Sequence, residues 1–307
     1  MQTLNFFWLL FCVFILGASF FDLYWQTKKN HKFSLKRAGF WTVVWISLAL
    51  FFNLLIYLFM GSEKALEFLT AYLLEKSLSL DNLFVFLITF SYFNLGIPAQ
   101  QKILKWGILG AFFMRAVFIF GGIWLLQNFH FLFFIFGGFL IFTGIQMFFQ
   151  KEEKVEPEKN FFLRLVRKFA PISNDHECGN FFTKENAKRC LTPLFVVLLL
   201  IESSDLIFAV DSIPAVLAIT SDPFIAYTSN AFAILGLRAL YFLVAGFLPK
   251  FTYLKKGVMV LLVVIGLKMI LSQWWHIPIA LSLLLILFIL VSSILISLIK
   301  KEQHVNV

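Results

Sequence analysis

Charge is scarce in this chain. Of 307 residues only 14% are Asp, Glu, Lys or Arg, while 60% are hydrophobic and the mean hydropathy is +0.87. A soluble globular domain is about a quarter charged, so this scarcity excludes a water-soluble protein. Cysteine is scarce too: Cys12, Cys178 and Cys190 form no Cys-x-x-Cys pair, which argues against a disulfide framework. No histidine lies deep in an apolar run. His31, His176 and His304 fall in loops or the tail, and His130 and His276 at the edges of runs. A Walker motif is absent, which excludes ATP-driven pumping by this chain. Two membrane aspartates could suggest an intramembrane aspartyl protease, but Asp81 follows Leu80 and Asp211 follows Val210, so the Gly-x-Gly-Asp motif is missing and no enzyme is expected. The first apolar run, Phe6 to Trp25, has no basic stretch before it and no small-residue cleavage site after it. It is expected to be a retained helix and not a cleaved signal.

What is present is a series of apolar runs long enough to cross a bilayer core of about 30 Å. They predict an all-α polytopic membrane protein with nine spans, near residues 4–26, 38–60, 66–93, 103–126, 131–150, 191–218, 224–248, 256–272 and 277–299. With the N-terminus outside and the C-terminus in the cytoplasm, 21 Lys and Arg residues fall in cytoplasmic segments and only Lys64 outside. The other four, Lys76, Arg115, Arg238 and Lys268, lie within spans. That asymmetry satisfies the positive-inside rule and accounts for the net charge of +9 without nucleic-acid binding. The expected location is a bacterial inner membrane.

The one sizeable hydrophilic stretch is a cytoplasmic loop over residues 151–190. It opens as a solvated linker, Lys151-Glu-Glu-Lys-Val-Glu-Pro-Glu-Lys159, and Phe161 to Phe169 is expected to lie on the membrane surface as a short amphipathic helix. Asp175-His176-Glu177-Cys178, with Cys190, is read as an ordinary polar loop and not as a zinc site.

An internal repeat carries the functional signal. The third span contains Glu75-Lys-Ser-Leu-Ser-Leu-Asp81-Asn82-Leu-Phe-Val and the sixth Asp205-Leu-Ile-Phe-Ala-Val-Asp211-Ser212-Ile-Pro-Ala-Val. Downstream, Met114-Arg115-Ala116 answers to Leu237-Arg238-Ala239, and Thr143-Gly-Ile-Gln-Met147 to Ile265-Gly-Leu-Lys-Met269. Residues 63–150 and 191–272 are thus two copies of a three-helix unit. An odd number of spans inverts the second copy, as in transporters whose substrate sits at the midplane between copies. Residues 1–62 and 273–307 form the periphery. At about 100° per residue, Tyr72, Glu75, Ser79 and Asn82 form one stripe; Glu202, Asp205, Ala209 and Ser212 form the matching one. Pro214 is expected to loosen the sixth helix and free carbonyls beside Asp211.

A charge at the bilayer centre costs about 2.5–3.5 kcal/mol, so Glu75, Asp81, Glu202, Asp205 and Asp211 must be compensated. Static pairing with the four intramembrane bases leaves five acids against four, and buried ion pairs are a weak means of stabilisation. Protonation or a bound cation is the alternative. Oxygen donors without imidazole or thiolate favour Mg²⁺, Ca²⁺ or Mn²⁺ over Zn²⁺ or copper.

These blocks, with Asn230-Ala-Phe-Ala-Ile-Leu-Gly-Leu-Arg-Ala-Leu-Tyr, resemble the signatures of the TerC/Alx family of bacterial membrane proteins. The resemblance implies metal-ion handling, notably Mn²⁺ export in exchange for protons, and some members are linked to metalating exported enzymes. It implies functional roles for Glu75, Asp81, Asn82, Glu202, Asp205, Asp211 and Ser212. The mechanism expected here places Asp81 and Asp211 as central ligands, with Asn82, Ser212 and freed carbonyls near Pro214 completing the shell. Glu75, Glu202 and Asp205 join the shell or carry protons, and Arg115 and Arg238 tune the acids. No tightly bound cofactor is expected; the partners are the transported divalent cation, Mn²⁺ foremost, protons and the lipid bilayer. The apolar Phe surfaces would permit a homodimer. The rival reading is a membrane-embedded assembly factor that helps insert or metalate exported proteins and engages a secretion-machinery partner through the central loop.

Overall fold

The computed structural model describes residues 7–9, 11–15, 17, 35–149, 180–185, 188–245, 252–272, 274–275 and 277–305. After a helical stretch within residues 7–17 come α1 (Leu35–Met60), α2 (Ser62–Tyr92), α3 (Ile97–Asn128) and α4 (Leu132–Phe149). A hairpin of β1 (Phe182–Glu185) and β2 (Lys188–Leu191) follows. Then come α5 (Pro193–Leu217), α6 (Pro223–Leu235), α7 (Leu237–Ala245), α8 (Thr252–Leu271) and α9 (Ile279–Val305).

Local chemistry sets the boundaries. Gly61, at φ 93°, makes the tight turn between α1 and α2, a backbone region open to glycine at no steric cost. Proline stands in the first turn of α3, α5 and α6, where its missing N–H leaves nothing unpaired. Asp222 caps α6, its side chain accepting from the N–H of Phe224 at 2.9 Å.

Helices α1, α3, α4, α5 and residues Ile279–Ser297 of α9 are long and apolar enough to cross a membrane, and α6 with α7 makes a sixth such unit, bent by 43°. Helix α2 carries Glu63, Lys64, Glu67, Glu75, Lys76 and Asp81 and lies inside the bundle, packed on α1, α5, α6 and α9. Phe113, Phe149 and Phe288 point outward, as lipid contact requires.

The packing is reciprocal. Helix α2 lies on α6 while α5 lies on α3, and α4 pairs with α8. The last pair meets backbone to backbone. A Cβ on Gly144 would stand 2.8 Å from the Met259 carbonyl, and one on Gly266 would stand 2.6 Å from the Gly137 carbonyl. Small residues that let helices approach are the usual means of packing in lipid, where apolar burial gives no preference for protein over lipid.

Two expectations change. Helix α5 is not broken at Pro214 but runs through it to Leu217; the proline, lacking an N–H, removes the single bond to the carbonyl of Val210 and no more. The discontinuity lies instead at Gly236, between α6 and α7. There Lys76 of α2 donates to the Ala233 carbonyl at 3.1 Å, satisfying an oxygen that the bend deprives of its helical donor. The second change is the antiparallel hairpin, which pairs Phe182 with Leu191 and Glu185 with Lys188 at the end of a loop read as having no strands. The linker over 151–159, the amphipathic stretch Phe161–Phe169 and the Asp175-His176-Glu177-Cys178 sequence lie outside the described residues.

Candidate cation site

Both polar stripes face inward. Tyr72, Glu75, Ser79 and Asn82 on α2 are buried, as are Asp205, Ala209 and Ser212 on α5. Helical periodicity alone places them so, since three- and four-residue steps return to one face.

Where α2, α3, α4, α5 and α8 converge, Glu75, Leu78, Asn82, Arg115, Met147, Phe208, Asp211, Ser212 and Leu262 enclose a cavity of about 20 Å³. That is room for one water or one desolvated ion. Glu75, fully buried, receives the Arg115 guanidinium on one oxygen and the Asn230 amide on the other at 3.1 Å. Arg115 donates as well to Asn230 Oδ1 at 2.9 Å and to Ser212 Oγ at 3.3 Å. Thr143 of α4 lies near the Asp211 carboxylate. The Glu75–Arg115 pair is therefore a satisfied buried ion pair, held by residues from both repeated segments.

Asn82 is the informative side chain. Its Nδ2 donates to Asp205 Oδ1 at 3.0 Å. Because a carboxylate only accepts, that bond fixes the amide orientation and leaves Oδ1 as the free end. Asn82 is 1% exposed, and its Oδ1 is buried without a partner. An unsatisfied buried acceptor costs about 1–3 kcal/mol and is rare enough in native proteins to need an explanation. The charges carry the same message. Among the described residues, three carboxylates (Glu75, Asp205, Asp211) and one guanidinium (Arg115) stand in or beside the cavity, an excess of two acids.

The structure thus gathers Glu75, Asn82, Asp211, Ser212 and Arg115 at one cavity and joins Asp205 to it through Asn82. It does not bring Glu202 there. That carboxylate lies against Gly107 and Gly110 of α3, where a Cβ on Gly110 would collide with it. Arg238, buried on α7, is not among the residues lining the cavity either. Asp81 lies on α2, with its side chain outside the described residues. Among the described residues no three Asp, Glu, His or Cys side chains close into a metal cage. Asn230, Thr143 and Met147 were missed as site residues. The signal for Asn230 was an amide within an apolar span, and for Thr143 and Met147 it was their place in the repeated block.

The sequence profile described as "Integral membrane protein TerC family" matches residues 60–305. An uncharacterized membrane protein of Myxococcus xanthus is 44% identical over 96% of this chain and 93% of its own length. A protein of Escherichia coli strain K12 named as a proposed membrane-bound redox modulator, Alx, is 42% identical over 92% of this chain and 91% of its own. Its namesake in Salmonella typhi is 42% identical over 94% and 92%. No solved structure gives a significant match. With the profile covering most of the chain and these relatives matching it nearly end to end, the chain belongs to the TerC family of integral membrane proteins.

Proposed function

We propose that this protein carries a divalent cation across the inner membrane, Mn²⁺ foremost, outward and in exchange for protons. The observation that carries the reading is the orphaned Asn82 Oδ1 beside an ion-sized cavity where, among the described residues, carboxylates outnumber bases by two. A dication supplies both missing features at once, a partner for the oxygen and two positive charges. Asp211, Asn82, Ser212 and Glu75 would offer it oxygen, with Asp205 held one bond away. Met147 adds a thioether to the cavity wall, and a softer donor beside hard oxygens suits Mn²⁺ better than Mg²⁺ or Ca²⁺.

Reciprocal packing supports an alternating mechanism. The contacts of α2 on α6 and α5 on α3, and the matched glycine contacts between α4 and α8, are ones that an inverted pair of three-helix units rocking about a central site would make. Protons would return on the carboxylates the ion vacates.

Among the described residues Cys12 lies in the N-terminal helical stretch and Cys190 on β2, and the two form no disulfide. The test is uptake into inside-out proteoliposomes under a fixed pH gradient, comparing Mn²⁺, Ca²⁺ and Zn²⁺. Gradient-dependent Mn²⁺ uptake that disappears in Asp211→Asn is expected. No flux of any divalent ion from monodisperse protein would reject transport and favour the assembly-factor reading.

A further inference from the structure

Away from the cavity, a second polar cluster joins the two repeated segments. Lys64, near the start of α2, reaches Glu67 at 3.0 and 3.1 Å and Asp222 at 3.3 Å. Thr220, in the turn between α5 and α6, donates its hydroxyl to Glu67 at 2.5 Å, and the N–H of Asp222 donates to Thr220 Oγ1 at 3.1 Å. Lys268 of α8 lies within electrostatic reach of Glu67. The cluster sits at one fixed depth relative to the cavity. Glu67 precedes Glu75 by eight residues, about 12 Å along α2, and Thr220, three residues past the end of α5, follows Ser212 by eight.

The matching positions at the other end are apolar. Lys64 and Glu67 stand eleven and eight residues before Glu75, as Leu194 and Val197 do before Asp205; Thr220 follows Ser212 as Phe90 follows Asn82. Leu194, Val197 and Phe90 are buried in one cluster with Ile103 and Tyr241, and the Phe90 and Tyr241 rings meet edge to face at 5.5 Å. One end of the pathway is closed by ions and the other by hydrocarbon.

We infer that Lys64, Glu67, Thr220 and Asp222 are the outer gate of the transport pathway, an ionic bolt between the two repeats that is closed in this conformation. The inference rests on the transport reading. Burial alone would pull the Lys64 amine down, but hydrogen bonds and charge from Glu67 and Asp222 outweigh it and hold the amine above its ordinary range, so the bolt keeps its charge. A dication leaving the cavity toward this end would repel Lys64 and attract the two carboxylates, so the cargo itself loosens the closure. A hydrocarbon plug has no such response.

Ala71 is the reporter position. It is fully buried and lies four residues from both Glu67 and Glu75 on one face of α2. Full-length protein carrying Ala71→Cys is treated with a membrane-impermeant maleimide, on intact cells for the outer face and on inside-out vesicles for the inner. Labelling is read above that of the protein bearing only its native cysteines. With the gate residues intact, Ala71→Cys is expected to be protected from outside. Adding Lys64→Met should raise its external labelling rate about tenfold, the population shift that loss of a charge-assisted bond produces. Thr220→Val, which removes one hydroxyl, should give a smaller rise, and it decides the matter if Lys64→Met fails to reach the membrane. Equal external labelling with and without these substitutions, or a rise from the cytoplasmic face alone, overturns the assignment. The readout needs no metal. Opening without cation flux would keep the gate and reject the transported ion; flux with unchanged labelling would reject the gate alone.

Discussion

The second helix of each repeated segment carries one buried arginine, and the two are used differently. Helix α3 runs unbroken for 32 residues and delivers Arg115 to Glu75 at the cavity. Its counterpart is broken into α6 and α7, and Arg238 lies beyond the bend and off the cavity wall. The sequences differ where this demands it. Two residues before Arg115 stands Phe113, facing outward, and two before Arg238 stands Gly236, packed under Lys76 and Trp45. One residue after Glu75 stands Lys76, and one after Asp205 stands Leu206. The bend falls at a bare glycine with the Lys76 ammonium packed against it. One arginine therefore stands at the cavity on a straight helix, and the other stands beyond a bend.

The largest expected effect comes from separating the arginines. Arg115→Met strands Glu75 as an uncompensated buried charge, at a cost of about 3–5 kcal/mol, so the yield of monodisperse protein should collapse. Adding Glu75→Gln should restore the yield but not Mn²⁺ flux. Arg238→Met is the comparison: because Arg238 does not line the cavity, ion affinity per folded molecule should fall less than with Arg115→Met. Equal loss of affinity in both would erase the distinction. The bend comes next. Lys76→Met leaves the Ala233 carbonyl without its donor, and losing a hydrogen bond to a charged group costs about 1.5–3 kcal/mol. Gly236→Ala sets a methyl where the Lys76 ammonium lies, so it should lower stability in the same direction, and the double variant should cost less than the two losses combined. Thermal unfolding in detergent reads both; full additivity would mean that Lys76 and Gly236 are not one device.

Much of this plan was legible in the sequence, for physical reasons. Costly groups at helical spacing reveal their face, so periodicity alone turned the stripe Tyr72, Glu75, Ser79 and Asn82 inward, and all four are buried. Repetition supplied the pairing of α2 with α5. What stayed hidden was contact between helices. Asn230 looks like any amide in an apolar span until α6 lays it across Glu75 and Arg115. Lys76 looked like an acid's partner because charge counting favours acids, yet a helix end also offers unpaired carbonyls, and it took one of those. Pro214 drew attention away from Gly236 because proline announces itself and a glycine break depends on its neighbours. Glu202 shared the stripe of Asp205 but sits one turn away, against glycines of another helix.

Smaller effects test how alike the two copies are. Gly144→Ala and Gly266→Ala each force a methyl against a carbonyl of the partner helix, and overpacking of this kind costs about 1–3 kcal/mol. Equal losses in thermal stability would mark the contacts as equivalent, and a clear inequality would show that the α4–α8 pair has drifted from symmetry.

The finest comparison is between two methionines at matching places in the repeated block. Met147 lines the cavity, whereas Met269 is wholly buried in the apolar core. Leucine nearly conserves methionine's volume, and such exchanges cost less than about 1.5 kcal/mol, so both variants should fold. Only one of them changes what an ion in the cavity meets. Met147→Leu removes the single sulfur among the lining residues and should lower the Mn²⁺ preference over Ca²⁺ severalfold in competition uptake, with total flux retained. Met269→Leu should leave that ratio untouched. If both variants keep the preference, ion choice rests on the oxygens of Asp211, Asn82 and Ser212 alone, and the thioether is packing. If both lose it, the core around Met269 sets the shape of the cavity from a distance, and the two copies are more tightly coupled than their separate contacts suggest.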